Sequence, residues 1–152
     1  MSARPLISPE SKLYSRDFFA WTEETARLLR AGRWRELDVE NVAEEIEDMG
    51  RTRRRELRSR LHTLTFHLLK WKYQAEKRSK SWRLTIHNQR RELDYVLEES
   101  PSLRPTVTQA VEMVYAGAAQ GASIQTGRPR NTFPDRCPFT PEQILDPDYL
   151  PE

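Results

Sequence analysis

The chain has 152 residues, of which 32% are charged, 37% are hydrophobic and only five are glycine, a composition typical of one well-solvated helical domain. Its formal net charge of +2 argues against a dedicated nucleic-acid coat protein, which needs a clear excess of basic side chains. The apolar stretches fall far short of the roughly 20 residues that cross a membrane, and the single Cys137 excludes an internal disulfide.

The first predicted helix begins near Ser8 or at Ser15 and runs to Ala31. Apolar residues recur along it at alternating spacings of four and three, which places them on one helical face. This face consists of Tyr14, Phe18, Trp21, Thr25 and Leu28. Gly32 is a suitable end, because glycine enters a left-handed turn without strain.

Asp38 is predicted to cap a second helix. Its carboxylate would accept hydrogen bonds from the unpaired backbone N–H groups of the first turn. Val42, Ile46 and Met49 are expected to point inward, and the acidic side chains are expected to point outward. Gly50 either breaks this helix or bends it. A third helix is predicted from Arg51 to Gln74, with an apolar face that widens after Leu64.

A fourth helix, capped by Ser79 or Ser81, is predicted to run to Glu99. Pro101 ends it, because the residue before a proline is pushed out of the helical conformation. A fifth helix is expected from Pro105 to Gln125, and its second half consists almost entirely of small residues. Such a face allows another helix to approach closely.

Many prolines follow Gly127, which predicts an extended tail. Thr140 to Gln143 has the pattern of a reciprocal helix cap, with a proline in the first turn, and predicts one short helix. The sequence therefore predicts an all-α fold: a single helical domain over residues 1–152. Residues 1–126 form a bundle of about five helices, and residues 127–152 form the proline-rich tail that wraps around it.

Several segments of the chain resemble the domain-of-unknown-function family twenty-nine, in the same order and spacing and over nearly the whole length. They are Tyr14 to Asp17 with Trp21, Leu28 to Gly32, Leu37 to Asn41 with Glu44 to Ile46, His67 to Trp71, Ser81-Trp82 with Thr85-Ile86, Pro101 to Leu103, and Phe133-Pro134 with Cys137-Pro138. The resemblance implies a small helical bacterial protein. It implies no activity.

The charge is distributed unevenly. Residues 51–91 carry fourteen Lys or Arg and two acids, a charge of +12, whereas residues 1–50 carry −4 and residues 92–152 carry −6. Such a basic block either binds a polyanion or is neutralised inside the fold by the acidic flanks. Both interpretations remain open.

The strongest candidate binding surface lies at the turn between the third and fourth helices, where cations alternate with Trp71, Tyr73 and Trp82. Its basic members are Lys70, Lys72, Lys77, Arg78, Lys80 and Arg83. Lysine and arginine bind phosphates through counterion release, and aromatic rings stack on unpaired bases. The alternative is a solvated corner neutralised by acids of the fourth helix.

Glu44, Glu45 and His67 are the candidate catalytic residues, as paired carboxylates with a histidine. A salt-bridged helix face and a hydrogen-bonded core histidine are the structural alternatives. We expect no cofactor and no metal site, because the histidines lack ligand spacing and no cysteine pair exists. The N-terminus has no apolar run behind Arg4, so no secretory signal is expected, and the chain is predicted to be cytoplasmic.

Three functions follow from these observations. The first is a protein-interaction or oligomerisation module, because no catalytic motif is present and the fifth helix has a small-residue face. The second is a nucleic-acid-binding protein using the basic turn between the third and fourth helices. The third is an enzyme using Glu44, Glu45 and His67. No membrane partner is expected.

Overall fold

The structure, a computed structural model, describes residues 9–152, with side chains from Lys12 onward. This part of the chain contains no strand and six α-helices, which confirms the all-α fold and the short helix in the tail. The helices are α1 (Pro9–Arg16), α2 (Phe18–Arg30), α3 (Val39–Tyr73), α4 (Lys80–Glu99), α5 (Val107–Thr126) and α6 (Pro141–Leu145). Ser8, one predicted helix start, and Arg4, used to exclude a secretory signal, lie outside the described residues.

The first alternative, one unbroken helix from near Ser8 to Ala31, is wrong, because the chain breaks at Asp17 between α1 and α2. The second alternative, a start at Ser15, lies two residues before the cap of α2. Asp17 has φ −150°, and its carboxylate accepts the backbone N–H of Ala20 at 2.9 Å. Asp17 therefore caps α2 instead of continuing α1. The predicted end is confirmed, since Gly32 has φ 69° in the left-handed region.

The predicted boundary at Gly50 is also wrong, because α3 passes through it without interruption. Arg51 forms ion pairs with three acids one or two turns earlier on the same helix: Glu44 at 2.9 Å, Glu47 at 3.5 Å and Asp48 at 2.7 Å. These pairs span the glycine and offset its poor helix propensity. The arginines after Gly50 consequently lie inside a helix, away from an unfavourable helix N-terminus.

The chain divides into two compact units, one ending at Arg51 and one from Thr52 to Glu152. We call them the N-terminal unit and the C-terminal unit; α3 begins in the first and ends in the second. The N-terminal unit has Trp21 and Leu28 as its buried hydrophobic side chains among the described residues. The Trp21 ring lies 4.9 Å from that of Tyr14. The organisation of residues 1–152 as a single domain stays a prediction.

The C-terminal unit contains one large apolar core. Its buried members include Leu61, Leu64, Leu68, Leu69, Ile86, Leu93, Val96, Leu97, Val111, Ala118, Ala119, Ala122, Phe133 and Ile144. α5 packs against α3, since a Cβ added at Gly117 would lie 3.5 Å from His62 Nε2, and one at Gly121 would lie 3.4 Å from Phe66 Cε2. The small-residue face of α5 thus serves packing inside the unit.

Side chains of the bundle hold the proline-rich tail. The buried Arg90 of α4 donates from Nε to the carbonyl of Ile144 at 2.8 Å and from Nη1 to that of Tyr149 at 2.8 Å. Its Nη2 donates to the carbonyl of Gln143 at 3.2 Å. Tyr115 of α5 donates its hydroxyl to the carbonyl of Pro134 at 2.5 Å. Hydrogen bonds to its backbone carbonyls therefore fix the tail, together with the burial of Phe133 and Ile144 in the core.

Candidate functional site

The basic turn between α3 and α4 consists of residues with different environments. Lys70 is buried, with 2% of its surface exposed. Its ammonium lies 4.5 Å from the Phe66 ring centre and 4.4 Å from that of Trp82, and it donates to Gln125 Oε1 at 2.6 Å. Burial lowers the pKa of Lys70 below its usual value. The structure therefore places this predicted binding residue between two half-buried aromatic rings.

Arg78 is exposed, but its guanidinium donates hydrogen bonds to backbone carbonyls of other residues. Its Nε donates to the carbonyl of Trp71 at 2.8 Å, and its Nη2 donates to the carbonyl of Pro151 at 3.2 Å. The guanidinium also lies 5.2 Å from the Trp71 ring centre. Arg78 thus joins the end of α3 to the end of the tail, and the ring of Trp71 is already covered by a cation.

The other four members of the predicted cluster are exposed cations: Lys72, Lys77, Lys80 and Arg83. None of these four forms an ion pair with a described residue. They follow one another around the short turn that links α3 to α4, in which Ser79 caps α4 by accepting the N–H of Trp82 at 3.1 Å. The turn therefore leaves four uncompensated charges on the surface of the C-terminal unit.

The candidate catalytic residues are each engaged by a neighbour. Glu45 accepts the hydroxyl of Tyr14 at 2.5 Å, which raises the pKa of that tyrosine to about 12. Glu44 pairs with Arg51, and both glutamates belong to the N-terminal unit. His67 belongs to the C-terminal unit, where its Nδ1 lies 2.8 Å from the carbonyl oxygen of Thr63 and burial lowers its pKa. An enzymatic role for these three residues stays a prediction.

The acids of α4 neutralise part of the basic block. Arg53 pairs with Glu99 and, at 3.1 Å, with Glu56. Arg60 lies 3.3 Å from Glu92 and 3.4 Å from Glu56. The two interpretations of the block thus apply to different residues: some of its arginines are paired within the fold, and others are not.

The N-terminal unit exposes apolar side chains that the sequence pattern placed inside. Ile46 and Met49 were expected to point inward, and they are 63% and 70% exposed. Seven of the eleven large hydrophobic side chains exposed in the described part of the chain belong to this unit. They are Phe18, Phe19, Leu29, Trp34, Val39, Ile46 and Met49.

The model of a protein family described as "Domain of unknown function DUF29" matches residues 13–150. The chain belongs to this family. No curated protein and no solved structure matches the chain. Membership of DUF29 confirms the family resemblance of the sequence segments, and the family description assigns no function to the basic turn or to the exposed apolar residues.

Other candidate sites in this DUF29 chain have ordinary structural surroundings. Cys137 is half-buried and free, and burial raises the pKa of its thiol, which disfavours the nucleophilic thiolate. Among the residues with described side chains, no three His, Cys, Asp or Glu come together as a metal site. None of the described helices combines the length and apolar character that a membrane span requires.

Proposed function

We propose that this DUF29 chain is a protein-interaction module that self-associates through its N-terminal unit. The observation that supports the proposal is the imbalance between exposed and buried apolar side chains. In the described residues, this unit buries two hydrophobic side chains and exposes seven large ones. Removing apolar surface from water contributes about 25 cal/mol per Å², so covering these side chains favours association.

The first turns of α3 supply an apolar helix face for this contact. Val39, Ile46 and Met49 lie on one side of the helix, because seven- and three-residue spacings return to the same face. Val39 is 62% exposed, which is similar to Ile46. Exposed valine and isoleucine at a seven-residue spacing favour packing against a second helix.

Charge complementarity favours a second copy of the chain as the partner. The N-terminal unit carries exposed cations and exposed acids that have no ion pair with any described residue: Arg16, Arg30 and Arg35, and Glu23 and Glu40. A two-fold contact uses the same surface from both copies. Arginines of one copy can then face glutamates of the other, which aligns the two surfaces.

Analytical ultracentrifugation over a concentration series tests the proposal. We expect the full chain to form a dimer at high concentration and Ile46→Glu/Met49→Glu to remain a monomer. A charged side chain at these positions is compatible with the solvated monomer and costly in a covered apolar contact.

Leu84→Glu/Ile124→Glu is the matched control, because it adds the same charge at two exposed apolar positions of the C-terminal unit. This control should dimerise like the parent chain. A parent chain that stays monomeric at every concentration would overturn self-association, and equal loss in both variants would show that the N-terminal unit is not the contact.

Nucleic-acid binding at the basic turn is a second candidate function, supported by the four unpaired cations Lys72, Lys77, Lys80 and Arg83. Arg78 is a poor choice for its test, because this side chain binds the backbone at Trp71 and Pro151. Lys72→Glu/Lys77→Glu/Lys80→Glu should abolish binding to single-stranded RNA or DNA. Retained affinity in this variant, measured over a salt series, would exclude the turn.

We also propose a cytoplasmic location. The lone cysteine is consistent with a reducing compartment, since secreted domains use paired cysteines. Localisation of a tagged chain in fractionated cells tests it, and recovery outside the cytoplasm would contradict it.

A further inference from the structure

The arginines of residues 51–60 fall into two groups. Arg51, Arg53 and Arg60 form ion pairs with acids of α3 and α4. The other group has no ion pair with any residue the structure describes, and its members are Arg54, Arg55 and Arg58. Three guanidinium groups are therefore uncompensated by the described residues.

Two of these unpaired arginines line the same groove. Arg54 and Arg58 are one helical turn apart and therefore share a face of α3. The groove has a volume of about 210 Å³ and lies beside the start of α5, within the C-terminal unit. Its lining is Arg54, Leu57, Arg58, Thr106, Gln109, Ala110 and Met113. The lining contains two positive charges and no acid.

The remaining polar groups of the lining favour a guest that accepts hydrogen bonds. Gln109 is exposed, and no contact to another described residue occupies its side-chain amide. Thr106 donates its hydroxyl to the carbonyl of Leu103 at 2.6 Å, so it offers only oxygen lone pairs. Leu57 and Ala110 are buried and form an apolar wall. The free donors are thus two guanidinium groups and one amide.

We propose that this groove binds a compact phosphoryl dianion, either free or at the end of a small molecule. A guanidinium presents a fork of N–H groups that matches two oxygens of one anion. A carboxylate has two oxygens, which a single fork occupies, whereas a phosphoryl group has enough oxygens for both forks. Its charge of about −1.5 to −2 also matches two guanidinium groups.

The groove has room for such a group. A water molecule takes about 30 Å³ of liquid volume, so a groove of about 210 Å³ accommodates an ion of several heavy atoms. The proposal does not depend on self-association, because every lining residue belongs to the C-terminal unit. A failure of the test for self-association would therefore leave the anion-binding proposal standing, and the reverse also holds.

Isothermal titration calorimetry of the full chain with inorganic phosphate, pyrophosphate and phenyl phosphate at constant ionic strength tests the proposal. We expect one site per chain and an affinity for these anions at least about tenfold above that for acetate, because only they engage both forks. Tighter phenyl phosphate would identify a terminal phosphoryl group as the guest, and tighter inorganic phosphate or pyrophosphate would identify a free anion.

Arg54→Gln/Arg58→Gln should weaken binding at least about tenfold, since it removes both forks. Arg55→Gln/Arg91→Gln removes the same charge from exposed positions outside the groove and should bind like the parent. If the first variant does not fold, Arg54→Lys/Arg58→Lys keeps the charge without the forks and should also bind more weakly. Absence of binding at millimolar anion, or equal loss in the control, would overturn the proposal.

Discussion

Lys70 is a cation held in a core without a carboxylate partner. Its ammonium contacts the rings of Phe66 and Trp82 and the side-chain oxygen of Gln125. Cation–π contacts contribute about 0.5–2 kcal/mol, whereas removing a charge from water costs several kcal/mol. Desolvation is therefore the larger effect, which is why the pKa of Lys70 is lowered.

We expect Lys70→Met to be at least as stable as the parent at pH 7, because methionine fills the same space without a desolvated charge. The lowered pKa means that the unfolded chain binds this proton more tightly than the folded chain does. Parent stability should therefore rise as the pH increases from the lowered pKa to the ordinary value of 10.5. Denaturant unfolding from pH 7 to 10.5 should show the advantage of the variant shrinking over that range.

Lys72→Met is the control for this comparison, since Lys72 is exposed on the same helix. Its stability relative to the parent should not change over the same pH range. A loss of more than about 2 kcal/mol in Lys70→Met at every pH would mean that the cation–π contacts outweigh desolvation.

The position of Lys70 was beyond prediction from the sequence, which assigned it to a binding surface. One of its two rings, that of Phe66, lies one turn earlier on the same helix. The second ring, that of Trp82, belongs to α4, and no local pattern indicates that it covers an ammonium group. The environment of Lys70 therefore depends on a contact between α3 and α4.

At the scale of elements, Arg90 fixes the tail to α4. Its fork donates to the carbonyls of Gln143, Ile144 and Tyr149. Arg90→Lys keeps the charge but cannot reach three carbonyls, so at least one buried acceptor loses its partner. We expect the free energy of unfolding to fall by about 2–3 kcal/mol.

Arg91→Lys is the matched control for Arg90→Lys, because Arg91 follows Arg90 on the same helix and its side chain is exposed. Its free energy of unfolding should stay within about 0.5 kcal/mol of the parent. Limited proteolysis should cut the tail faster in Arg90→Lys alone. Equal stability of the two variants in urea would show that the clamp contributes little.

Gly50 offers a second test at this scale, because it lies in the interior of α3. An added Cβ there would meet no atom within 4 Å beyond its chain neighbours and the backbone of its own helix. Gly50→Ala should raise the free energy of unfolding by about 0.5–1 kcal/mol, since alanine loses less backbone entropy in a helix. Gly127→Ala should lower it by about 1 kcal/mol, because Gly127 has φ 69°. Thermal unfolding of both variants checks the signs; a destabilised Gly50→Ala would mean that α3 needs a flexible point there.

Helix ends were predictable where the signal is local. Thr140 and Gln143 form the predicted reciprocal cap, and Ser79 is one of the two predicted caps of α4. The continuous helix through Gly50 was not predictable, because glycine itself disfavours a helix. Ion pairs from Arg51 to acids on the other side of the glycine offset that preference. Gly32 ends a helix and Gly50 continues one. The structural difference is the backbone angle φ, which is 69° at Gly32 and not positive at Gly50.

At the scale of the whole molecule, burial is distributed unevenly. In the described residues the N-terminal unit buries two hydrophobic side chains and the C-terminal unit buries twenty. The sequence pattern placed Ile46 and Met49 in a core, whereas the structure exposes both side chains. A periodic apolar pattern indicates a face to be covered and does not say whether this chain or another chain covers it.

Hydrogen exchange should reveal this imbalance as a difference in local stability. Regions with few buried apolar contacts open at a lower free energy than the main core does. We expect amides of α2 and of the first turns of α3 to exchange faster than those between Leu57 and Leu69. If the N-terminal unit also forms the proposed contact, its protection should rise with protein concentration, because association stabilises only the associated state.

Exchange measured by mass spectrometry at low and high protein concentration separates these effects. Ile46→Glu/Met49→Glu should show fast exchange of the N-terminal unit at both concentrations, whereas Leu84→Glu/Ile124→Glu should follow the parent. Uniform protection along α3 at low concentration would contradict the graded stability. Graded protection that does not depend on protein concentration would contradict self-association through the N-terminal unit. It would still agree with the uneven burial of apolar side chains, so each conclusion is tested by its own observation.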